Sequence, residues 1–150
     1  MDAAKSRAMP RVAPVEHIAY QRLLWAVPLT ALVAAIAAGV VEALASLPGA
    51  IPSTVRLPGL MGYQPLTPAS AAITALVATL WAAVAFALIG RFARRPVRLF
   101  RIIALVTLIL SLALPLTAPG VPMSMRASLS LLHVVVAAVD VGLLTTLGQR

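Results

Sequence analysis

The chain has 150 residues, of which 61% are hydrophobic and only 11% charged, with a net charge of +8 and a mean hydropathy of +1.00. A soluble domain carries about 25% charged residues to wet its surface, so composition excludes an ordinary water-soluble globule. The absence of cysteine further excludes disulfides, thiolate metal sites and thiol redox chemistry.

Residues 1–22 form an expected cytoplasmic arm without usable periodicity, and Tyr20 and Trp25 suit an aromatic belt at the membrane surface. The first apolar block, Leu23 to Leu47, has 25 residues. Ala43-Leu44-Ala45 resembles a signal-peptidase site, but the block exceeds the about 7–15 apolar residues of a signal peptide. A retained membrane helix is expected. The connection "PGAIPSTVRLPGLMGYQPLTP", Pro48 to Pro68, holds five prolines, three glycines and one charge, a density that prevents a regular helix. Its apolar residues favour an irregular loop folded over the outer end of the bundle. A re-entrant loop would need protein or water around its backbone. Thr67-Pro68 then reads as N-cap and first-turn proline of a second helix over 69–90. A third helix is expected over 99–116, with Pro96 at its start, and a fourth over 128–147. Blocks of this length cross about 30 Å of hydrocarbon, whereas β-barrel strands would be shorter and alternating. The predicted fold is an all-α bundle of four transmembrane helices over 23–147.

Charge sets the expected topology. Lys5, Arg7, Arg11 and Arg22 precede the first helix, Arg91, Arg94, Arg95, Arg98 and Arg101 crowd the connection between the second and third, and Arg150 ends the chain. Only Arg56 and Arg126 lie in the other two connections. The positive-inside rule therefore places both termini in the cytoplasm, in a multi-pass protein of the cell inner membrane. The same rule accounts for the basic charge without nucleic acid. The 91–101 arginines are expected to touch anionic headgroups at the cytoplasmic face, at about 1 kcal/mol each; a docking surface for a partner is the other reading.

Helix contact inside lipid depends on small residues. Ala31, Ala35, Gly39 and Ala43 on the first helix, and Ala71, Ala75, Thr79, Ala83 and Ala87 on the second, form facing ridges. Pro28 and Pro115 interrupt helices one and three. The ridges could equally pack against another membrane subunit.

The intramembrane polar residues are Glu42, His133 and Asp140. Charge at membrane depth is expensive, which makes such residues candidate sites. His133 and Asp140, seven residues apart, share one helix face. They rise roughly 10 Å apart along it, too far for a shared metal, whose ligands lie about 2 Å away. No metal and no cofactor is expected. Glu42 and His133 each lie five residues inside the outer ends of their predicted helices, a depth match that predicts a Glu–His pair. Asp140 is roughly level with Thr30 and Thr107, whose hydroxyls could donate to it, with Arg22 or Arg101 approaching from the inner interface.

The second half, "RRPVRLFRIIALVTLILSLALPL" followed by "SLLHVVVAAVDVGLL", resembles a family of small four-helix bacterial membrane proteins known only as a domain of unknown function. Arg95, Pro96, Ser111, Pro115 and His133 carry the likeness. It implies the four-span architecture and no activity.

No nucleophile–base set, metal cluster or phosphate loop is present in the sequence, and the soluble parts are too small for a site. The leading expectation is a non-catalytic accessory or scaffold subunit of a larger membrane complex. The alternative is a small transporter or proton-coupled carrier using Glu42, His133 and Asp140. An intramembrane lipid enzyme, with His133 and Glu42 as acid and base, lacks a nucleophile or metal.

Overall fold

The computed structural model describes residues 18–47, 56–59, 62–117 and 121–149, and between 56 and 64 the backbone alone. The arm up to residue 17, Lys5, Arg7, Arg11 and Arg150, and the loop over 48–55 lie outside these residues. Among the described residues four helices follow one another: α1 Tyr20–Ser46, α2 Pro68–Phe92, α3 Pro96–Thr117 and α4 Met123–Leu147. Each is long and apolar enough to cross a membrane. Their 22 to 27 residues give roughly 33 to 40 Å of axis.

The helix starts lie earlier than hydropathy places them. α1 begins at Tyr20 because the Ala19 carbonyl already accepts the Arg22 and Leu23 N–H groups; the expected arm therefore ends before residue 22. α4 begins at Met123, not Ser128. Arg126 interrupts the apolar run, yet its guanidinium and Nε donate to the carbonyls of Leu116 and Val121 at 3.0 Å each. A long cationic side chain that reaches open carbonyls costs a helix end little. The start of α2 follows the sequence closely. Thr67 Oγ1 accepts the Ser70 N–H, Ser70 Oγ accepts the Thr67 N–H, and Pro68 occupies the first turn.

The connection between α1 and α2 is more regular than its prolines predict. β1 (Arg56–Gly59) pairs antiparallel with β2 (Gly62–Pro65) in the register Arg56↔Pro65, Leu57↔Gln64, Pro58↔Tyr63 and Gly59↔Gly62. In a two-stranded ribbon both strands are edges, so Pro58 and Pro65 can leave their missing N–H on the open side.

α1 packs along both α2 and α4, while α3 leans on α4 and α2. The expected α2 ridge is buried at Ala71, Ala75, Thr79 and Ala83. On α1 the buried stripe is broader than the expected ridge: Ala26, Thr30, Ala31, Ala34, Ala38 and Glu42 are buried and Ala43 is exposed. The cause is that α1 faces two neighbours at once. Two apolar cores result. At the end carrying the described termini, Ile18, Leu23, Ala83, Phe86, Val97, Phe100 and Leu144 cluster, with the Phe86 and Phe100 rings 4.8 Å apart. Ala19 N–H donates to Gly148 O at 2.9 Å and ties the two termini together there. At the other, distal end, Ala38, Ala71, Ala75 and Leu132 pack with Val41, Leu66, Leu129 and Val136. α3 contributes least. Between Phe100 and Pro115 none of its residues is buried.

Candidate functional site

A polar layer separates the two apolar cores. Thr79 lies one turn from both Ala75 and Ala83 on α2, and Asp140 lies one turn from Leu144 on α4. The Thr79 hydroxyl donates to Asp140 Oδ1 at 2.7 Å, with both residues buried. This corrects the expected partners. Thr30 is buried but donates to its own helix, at Ala26 O (2.7 Å), and Thr107 is exposed on α3. Arg101 donates instead to Thr145 Oγ1 at 3.2 Å, and Arg22 to the Gln149 carbonyl at 3.0 Å. Thr79 was legible as the one hydroxyl in an otherwise alanine ridge.

The expected Glu42–His133 pair does not form. Both Glu42 oxygens are buried without a hydrogen-bond partner among the described residues. His133 Nδ1 bonds the Leu129 carbonyl of its own helix at 2.8 Å; a carbonyl only accepts, so Nδ1 carries the hydrogen. The reason is depth. Glu42 lies four residues before the end of α1, about 6 Å along the axis. His133 lies ten residues into α4 because that helix starts at Met123, about 15 Å in. The structure therefore separates the three intramembrane candidates: Glu42 near the distal end, Asp140 in the central layer, His133 between these levels.

The arginines gather at the opposite end. Arg91 closes α2, Arg94 and Arg95 form the connection, and Arg98 and Arg101 lie in the first turns of α3; all are exposed. An open groove of ≈ 260 Å³ lined by Val97, Arg98, Arg101, Ile102 and Leu105 runs beside them. Among the described residues no group of three or more His, Asp or Glu could hold a metal.

Four apolar helices, a buried polar layer and a basic end define a small multi-pass helical membrane protein. The chain belongs to the family of unknown function DUF6069, whose model matches residues 19–150. The likeness visible in the second half thus extends through all four helices. No curated protein and no solved structure matches the chain.

Proposed function

We propose that this is a non-catalytic protein of the cell inner membrane that acts by lateral helix association, as an accessory or scaffold subunit of a larger membrane complex. The observation that supports this reading is a face of α4 that the bundle does not use. Ala138, Gly142 and Thr146 repeat at intervals of four and are all exposed, and a Cβ added at Gly142 would meet nothing within 4 Å. In lipid, where burying apolar surface gains little, such a face lets another helix backbone approach closely. The basic end, with both termini, faces the cytoplasm in this reading. There its arginines meet anionic headgroups, with no role for nucleic acid. Purification of the intact chain in mild detergent tests the reading. A partner retained by the wild type and lost in Gly142→Leu is expected; a monomer without partner in both contradicts it.

The second reading is a proton-coupled carrier using Glu42, His133 and Asp140, and a buried carboxyl with no hydrogen-bond partner favours it. The separation of the three groups weighs against one relay. Flux in proteoliposomes that is unchanged in Glu42→Gln and Asp140→Asn removes this reading.

A further inference from the structure

Glu42 is the least satisfied group among the described residues. Its side chain is fully buried, and neither carboxyl oxygen has a hydrogen-bond partner. One turn deeper, Ala38 packs at the junction of α1, α2 and α4 with Ala71, Ala75 and Leu132. Gly39 approaches the Pro68 carbonyl and Ala72, its added Cβ lying 3.5 Å from one and 3.8 Å from the other. Glu42 therefore belongs to the turn of α1 level with the start of α2, close to the distal surface yet closed off from it.

The ionisable groups on the two helices packed against α1 are all engaged elsewhere or remote. Arg91, the sole ionisable residue of α2, lies in its last turn at the far end. On α4, Arg126 donates to Leu116 O and Val121 O, His133 to Leu129 O, and Asp140 accepts from Thr79. An ionised carboxylate so placed would have lost its water and gained neither donor nor countercharge among the described residues, the least favourable state for a buried acid. A bound proton removes the charge without any rearrangement of the helices.

We propose that Glu42 is a proton-binding site: a neutral carboxylic acid that exchanges its proton with water at the distal surface. In the exchange a hydronium ion gives one proton to a carboxylate oxygen and leaves as water, and release is the reverse. The about 6 Å of axis between Glu42 and the end of α1 is short enough for a brief opening of the helix end to admit water. The site holds a proton whether or not the chain binds a partner or carries a solute, so the inference is independent of both readings.

Infrared spectroscopy of the intact chain in lipid vesicles tests it. The expected result at neutral pH is a carboxylic-acid C=O band that is lost in Glu42→Gln, kept in Asp140→Asn and shifted when water is replaced by D₂O. Carboxylate bands in place of that band would overturn the proposal, and a band that never shifts in D₂O would overturn the exchange. A second measurement needs no variant. A lipid-soluble carbodiimide reacts with a protonated acid: the acid's proton goes to one nitrogen, the carboxyl oxygen bonds to the central carbon, and an oxygen-to-nitrogen acyl shift leaves a stable N-acylurea. Mass mapping should find one whole reagent on Glu42, with labelling that falls as pH rises. Labelling confined to other carboxyl groups would overturn the proposal.

Discussion

Replacing Thr79 by valine removes one hydroxyl from the centre of the bundle while keeping the β-branched shape, so it tests the Thr79–Asp140 bond without opening a cavity. Both residues are buried and the bond is 2.7 Å long. Side-chain hydrogen bonds between membrane helices average about 0.6 kcal/mol and reach about 1.7. Leaving a buried acceptor unpaired adds a penalty of about 1–3 kcal/mol. The high end is unlike a membrane interior, where the loosened state also finds partners, so the expected loss is about 1–2 kcal/mol. At about 2–4 °C per kcal/mol for a chain of this size, the apparent Tm should fall by about 2–8 °C. The assay is thermal unfolding in detergent followed by the fluorescence of Trp25 and Trp81. Asp140→Leu alone should strand the Thr79 hydroxyl, and the double variant Thr79→Val/Asp140→Leu should be no worse than the poorer single. A Thr79→Val protein with unchanged Tm, or two losses that add within about 0.5 kcal/mol, would refute the coupling.

Three further outcomes follow from the packing. Glu42→Met should raise apparent stability by about 1–3 kcal/mol, since it replaces a buried unsatisfied carboxyl with an apolar side chain of similar length. Its effect and that of His133→Ala should add within about 0.5 kcal/mol because the two residues do not touch; strong coupling in thermal unfolding would restore the pair. Gly148→Ala should lower stability by about 1–3 kcal/mol. Its Cβ would lie 2.6 Å from Leu144 O, 2.9 Å from Phe86 and 3.0 Å from Leu23. Normal unfolding of that variant would show that the closure of the two termini yields freely.

The four helices were legible because lipid leaves the sequence little choice: every span needs about 20 apolar residues, and no soluble segment here imitates one. Their ends were less so, and for one reason. Arg126 reads as loop by hydropathy, yet a guanidinium that reaches the carbonyls of Leu116 and Val121 belongs comfortably to a first helical turn. That five-residue difference moved His133 inward and dissolved its predicted meeting with Glu42. Asp140 was legible as a group in need of a donor, but not its partner. Level matching offered Thr30 and Thr107, which do lie on helices packed against α4, but Thr30 donates to Ala26 O and Thr107 is exposed. The rotation of each helix, which hydropathy does not encode, selected Thr79.

The most direct test of the association reading uses the absence of cysteine from the chain. A single cysteine placed at Ala138, on the unused face of α4, can be cross-linked in native membranes with a lipid-permeant bifunctional reagent. A cysteine at Ile73, exposed on α2, serves as the comparison. Association through the Ala138, Gly142 and Thr146 face predicts one discrete higher-mass product from Ala138→Cys, lost when Gly142→Leu is added, and none from Ile73→Cys. No product from Ala138→Cys, or equal products from both positions, would contradict it.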